Sequence, residues 1–150
     1  GRAGFIYPWG DDFISGVANL SLSPRTKKGQ GLKPVGSFPK SASSYGVQDM
    51  VGNAWEWVWE YYQPYPASKF KTPAYEKKEI VVRGLSYMGV GHFSKKDFLK
   101  VVSLKARASY REHLNPLARK IDVGFRCAKD RPPFMERVFG GKTDRSEKSS

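Results

Sequence analysis

The chain has 150 residues, a formal net charge of +12, and 39% hydrophobic and 14% aromatic residues. That is about one domain with enough apolar side chain to bury a core, which excludes an intrinsically disordered chain. A single cysteine, Cys127, excludes an internal disulfide and any cysteine-cluster metal site, and no apolar run reaches the roughly 20 residues of a membrane span.

Glycine and proline, at 15 and 10 residues, favour a loop-rich fold with short strands over a helical bundle. The charge is unevenly placed. Residues 21–40 carry Arg25, Lys27, Lys28, Lys33 and Lys40 with no acid, a balance of +5. Residues 95–120 hold eight basic residues against Asp97 and Glu112, a balance of +6. Such faces suit an acidic partner, nucleic acid or anionic lipid, or are simply solvated.

The chain opens abruptly, so an upstream leader is compatible with it. Residues 1–20 read as an entry loop in which Tyr7-Pro8-Trp9-Gly10 forms a turn with two aromatics able to pack inward. Asp11 and Asp12 then make either a cation-binding pair or a solvated turn. Ala18-Asn19-Leu20 suits a short strand or turn. Residues 21–44 form a long irregular loop with Val35 and Phe38 as anchors, and loops of that length are usually functional or mobile.

Residues 45–62, YGVQDMVGNAWEWVWEYY, begin with a short helical turn at 45–50. Trp55, Trp57 and Trp59 then recur every second residue, which is strand spacing. Asn53, Trp55, Trp57, Trp59 and Tyr61 would share one face. Prolines at 64, 66 and 73 break regular structure, and 79–87 (EIVVRGLSY) reads as a strand interrupted by Gly84. Residues 94–104 suit a short helix capped by Ser94 with Asp97 three residues on. Residues 106–111 suit a further strand or turn. In 121–128 the alternation turns Ile121, Val123, Phe125 and Cys127 inward, which reads Cys127 as a buried structural thiol. The polar end, 140–150, reads as a flexible tail.

Five strings occur in order: YPWG at 7–10, AN at 18–19, the tryptophan block at 45–62, VVRGLSYM at 81–88 and VGFRCAKDR at 123–131. Together they resemble the formylglycine-generating enzyme family, also called the sulfatase-modifying-factor family, from Tyr7 to about Arg131. The resemblance implies an α+β, C-type lectin-like fold, rich in loop, with short antiparallel strands. It also implies a family segment ahead of YPWG, so residues 1–131 would be the C-terminal portion of such a domain and 132–150 an extension. On that reading the chain alone leaves apolar surface uncovered.

Catalytic members of this family oxidise a substrate cysteine to formylglycine with oxygen, on two cysteines that bind copper(I) through soft thiolates. The matching positions here are Gly89 and Ser94, so no catalytic residue and no copper are expected. Relatives that use iron take histidines from another domain. His92 and His113 lie in polar surroundings with no partner at ligand spacing.

Family members also bind structural calcium at the turn before the tryptophans. Residue by residue, Asp49 and Glu56 would give carboxylates and Gly52 and Ala54 carbonyls, or the acids merely accept backbone hydrogen bonds. A second site would use Asn19 and Leu20 plus an acid, but its position aligns with Lys27, so that site is expected to be lost.

The leading reading is a non-catalytic structural or protein-binding module in a larger assembly, with Tyr61, Tyr62 and Tyr65 among its contact points. The alternatives are an oxygen-dependent oxidoreductase with metal ligands outside the segment, and a basic surface for nucleic acid or anionic lipid. Missing stacking aromatics argue against nucleic acid. A membrane would be met only through an upstream anchor, and the resemblance points towards a cell-envelope or exported location.

Overall fold

The computed structural model describes residues 4–21, 31–90 and 94–129. Lys27, His92 and the 132–150 extension lie outside the described residues. The strands are β1 (Trp55–Tyr61), β2 (Ile80–Arg83), β3 (Glu112–Leu114) and β4 (Val123–Gly124), with one helix, α1 (Lys95–Lys105). Two short 3-10 turns, Pro39–Ser41 and Pro73–Glu76, add to the loops. The sheet order is β3-β2-β1-β4, with β1–β2 and β2–β3 antiparallel and β1–β4 parallel. This is a loop-rich α+β arrangement. Tyr45 lies in a turn and no helix forms over 45–50, whereas β3 and both 3-10 turns arise where no element was expected.

The tryptophan strand forms, but its alternation does not persist. Trp57 pairs with Val82 and Tyr61 with Ile80, so four steps along β1 meet two along β2. A bulge of this kind releases the strand from strict two-residue alternation. Trp55 packs against the core and Trp57 is half-buried, yet Trp59 is fully exposed and Tyr61 more than half exposed. β2 is the better-covered strand: Val81 and Val82, which face opposite ways, are both fully buried.

The main cluster joins segments far apart in sequence. Tyr7, Val51, Leu85, Phe98, Val102 and Ala106 are buried together, flanked by Ile6, Trp9, Phe13, Leu20, Trp55 and Val90. Tyr7 bonds Gly10 in both backbone directions and stacks on Trp9 with ring centroids 5.2 Å apart, so the expected YPWG turn does pack inward. From α1, Phe98 and Val102 supply the buried face four residues apart, while Leu99 and Leu104 face solvent. Burying such side chains contributes roughly 1.5–3 kcal/mol each.

Four side chains expected to face inward are corrected. Val35 is almost fully exposed. Ile121 and Phe125 are about three-quarters exposed and Cys127 is an exposed free thiol, because β4 pairs only at Val123 and Gly124 and, among the described residues, no sheet neighbour lies on its outer side.

The C-terminal end of α1 is fastened by Lys105, whose Nζ lies 3.0 Å from Glu112 Oε2 and over the rings of Trp55 and Tyr110. Tyr110 Oη donates to the same Glu112 oxygen at 2.9 Å. Burial pushes the Glu112 carboxyl up, but bonds from Lys105 and Tyr110 and the lysine charge outweigh it and hold it below the ordinary value. Burial opposes the Lys105 charge, and its bonds to Glu112 and Tyr110 more than offset this, raising its pKa.

Gly52 has φ +84, and a Cβ there would sit 2.7 Å from Asn19 O; Gly52→Ala is expected to lose about 1–3 kcal/mol in urea unfolding. Trp59→Ser, at a fully exposed position, should stay within about 0.5 kcal/mol. A depressed carboxylate stabilises above its unfolded pKa and is lost as pH falls through its folded one. Melting temperature should therefore fall below pH 4.5, the ordinary glutamate value, and Glu112→Gln should flatten that decline. Lys105, being raised, loses its contribution only as pH climbs beyond 10.5.

Candidate functional site

The turn leading into β1 is held by an unusual backbone. Asp49, Gly52 and Asn53 have φ of 56°, 84° and 67°, all in the left-handed region that Gly, Asn and Asp tolerate best. Each turn group then meets another segment. Gly52 N donates to Gly84 O at 2.7 Å, Asn53 N to Asn19 O at 2.9 Å, and Tyr87 N to Asn53 O at 3.0 Å. The Asn53 amide accepts from Lys33 N and Asn19 Nδ2, each at 2.9 Å, and returns a bond from Nδ2 to Lys33 O at 3.0 Å. Asn19 thus serves as a bridge between the turn and Gly31, to whose carbonyl it donates at 2.9 Å.

Of the expected calcium set, Asp49 and Glu56 are both occupied by protein donors. Asp49 Oδ2 accepts from Gly36 N at 2.7 Å. Glu56 receives Arg126 Nε on Oε2 at 2.7 Å and Arg126 Nη2 on Oε1 at 2.5 Å, a side-on fork. The same guanidinium donates to Gln48 O at 3.0 Å and Asp49 O at 3.1 Å. The bonds to Glu56 hold its proton more firmly than in an ordinary arginine. Gly52 lies at the crossing with Gly84, and Ala54 is half-buried at the entrance to β1. No group of three or more His, Cys, Asp or Glu gathers among the described residues.

The positions that the resemblance assigns to the copper cysteines are used for other purposes. Gly89 has φ +73, and a Cβ there would sit 2.6 Å from Ser21 O. Ser94 caps α1: its hydroxyl accepts from Asp97 N at 3.2 Å and donates to Asp97 Oδ2 at 2.6 Å. Between β2 and Gly89, the buried Ser86 donates to Asp122 Oδ2 at 2.7 Å and accepts from Met88 N. Leu85 is fully buried at φ +65, so core packing offsets the backbone strain of a left-handed leucine.

Elsewhere, His113 does have a partner. Its Nδ1 meets Glu79 Oε2, and its ring stacks on Tyr62 at 4.3 Å between centroids. Arg111 lies 3.7 Å above the Tyr65 ring, donates to Gln63 O and approaches Glu60. Tyr65 donates to Ser109 O and Tyr62 packs on Tyr75, so of Tyr61, Tyr62 and Tyr65 it is Tyr61 that is most open. The 95–120 basic segment is thus partly spent inside the fold, on Lys105 and Arg111. A depression of about 150 Å³ lined by Trp9, Phe13, Ile14 and Leu20 lies below the size of ordinary ligand pockets, roughly 300–1,000 Å³.

Comparison with known proteins places these features. A sulfatase-modifying factor enzyme 1-like domain matches residues 1–131. The chain is similar to inactive C-alpha-formylglycine-generating enzyme 2 of Bos taurus, 32% identical over 89% of this chain and 41% of that protein. It is also similar to hercynine oxygenase of Mycolicibacterium smegmatis (30%, covering 83% and 28%) and formylglycine-generating enzyme of Bos taurus (29%, covering 85% and 34%). The chain therefore spans about two fifths or less of the length of these relatives. With the family match over most of its length and the turn, strand and helix cap on one scaffold, the chain belongs to the sulfatase-modifying factor enzyme 1-like family.

Proposed function

We propose that this chain is a non-catalytic member of its family, serving as a structural or protein-binding module within a larger assembly. The observation that carries this is the closed backbone at Gly89. A copper-binding cysteine needs a Cβ and a thiolate free to turn towards a metal. At Gly89 the Cβ would run into the Ser21 carbonyl, and the positive φ opposes any L side chain. Ser94, the second aligned position, is occupied in capping α1. The related bovine protein carries the word inactive in its name, which accords with this reading.

A binding role draws support from the exposed aromatics. Trp59 and Tyr61 project from the outer half of β1, and Phe125 stands beyond β4 at the edge of the same sheet. Aromatic side chains are favoured at interface centres, where they bury large area at low entropic cost.

A second reading keeps redox chemistry, with metal ligands supplied from outside the segment. The likeness to hercynine oxygenase at 30% identity favours it. Metal content and turnover separate the two. The full-length protein, loaded with copper or iron and offered a cysteine-containing peptide, should yield no formylglycine and retain neither metal stoichiometrically. Oxygen-dependent turnover would overturn the proposal. The double variant Gly89→Cys, Ser94→Cys should stay inactive and lose about 2–4 kcal/mol, from left-handed strain and the lost helix cap.

A further inference from the structure

We propose that the guanidinium of Arg126 is the resident cation of the 48–56 turn, and that the turn in this chain stands without calcium. Four oxygens converge on that one group: both of Glu56 and the carbonyls of Gln48 and Asp49, at 2.5 to 3.1 Å. These are the oxygens of a tight turn with a carboxylate beside it, the chemistry that otherwise gathers calcium.

Calcium requires six to eight oxygens, and the two carboxylates of the expected set already hold protein donors here. Both oxygens of Glu56, the carboxylate on β1, are bonded to Arg126. The other carboxylate, Asp49, spends Oδ2 on Gly36 N, which ties down the 34–37 turn. A divalent ion seated on Glu56 would also lie against a permanent positive charge, since an arginine cannot deprotonate to make way.

The guanidinium suits the role for geometric reasons. Its planar fork matches the carboxylate with Nε and Nη2 in parallel, and Nη1 and the second Nη2 hydrogen remain for the two carbonyls. A lysine ammonium has the charge without that fork. The parallel pairing of Glu56 with Gly124 brings Arg126, two residues on, to the same side of the sheet as Glu56. The cation is thus carried by the chain itself, and it binds β4 to the turn across 70 residues of sequence. A metal would fasten the turn alone, whereas Arg126 also couples it to the short edge strand.

Calcium titration by calorimetry and thermal melts of the full-length protein test this. The wild type should give no saturable heat with calcium chloride, and its melting temperature should be the same in millimolar calcium as in EDTA. Arg126→Gln and Arg126→Lys should each lower the melting temperature, the former by about 3–8 °C. Glu56→Gln should give a similar loss, and the Arg126→Gln, Glu56→Gln double variant should lose little more than either single change. Saturable calcium binding to the wild type that disappears in Glu56→Gln would overturn the proposal. So would an Arg126→Gln variant that melts like the wild type. If Arg126→Gln fails to fold, the wild-type titration and the Arg126→Lys melt still decide the matter.

Discussion

The left-handed turn at 49–53 is the constraint on which the rest of the chain depends. Its carbonyls and amides are shared out among three other segments: 18–20 through Asn19, 31–33 through the Asn53 amide, and 84–87 through Gly84 and Tyr87. None of these bonds belongs to a sheet or helix, so the turn does for the loops what a ladder does for strands. Buried or half-buried backbone groups must find partners, and in a chain with so little regular structure they find them here. β1 can leave the turn in only one direction, which brings Trp55 onto the core beside Leu85, Phe98 and Val102. The tryptophan strand is therefore aimed by the turn more than by its own alternation.

Features set by neighbours in sequence were legible, and those set by distant pairing were not. The YPWG turn, the glycine–asparagine turn, the strand at Trp55 and the helix capped by Ser94 all rest on local chemistry. The same holds for the family strings. Trp59 defeats the periodic reading because the bulge after Trp57 depends on how β2 runs alongside, which residues 45–62 do not encode. Phe125 and Cys127 alternate correctly but lie past the end of β4, where no sheet neighbour lies outside them among the described residues. His113 looked partnerless because Glu79 lies 34 residues away and only the β2–β3 pairing brings them together.

The candidate site divides in the same way. Asp49 and Glu56 were recognisable as a pair of acids around a turn. Arg126 was not recognisable as their partner, although its place beside Phe125 in an alternating string put it on the polar face. The missing information was the parallel register of β1 and β4. Charge tells a related story: counted along the chain, 95–120 is a basic block, yet Lys105 and Arg111 spend their charges on Glu112, Glu60 and aromatic rings. A cation held over a ring and against a carboxylate contributes to packing, and less of it remains to attract a phosphate.

The two positions that the resemblance assigns to copper cysteines lie apart from the main cluster. The main cluster draws on Tyr7, Val51, Leu85 and α1, and none of its members is Gly89 or Ser94. On the proposed reading, a cysteine at either position could be given up without opening a cavity in that cluster. What replaces it then stabilises the fold: a glycine lets the backbone pass close to Ser21, and a serine caps the helix that supplies Phe98 and Val102. Leu85 is a further case, a buried leucine that fills the core at a conformation glycine would hold without strain. Three positions in ten residues thus favour packing and capping over ligand chemistry. On the proposed non-catalytic reading, that is the pattern expected once ligand chemistry at these positions is no longer required.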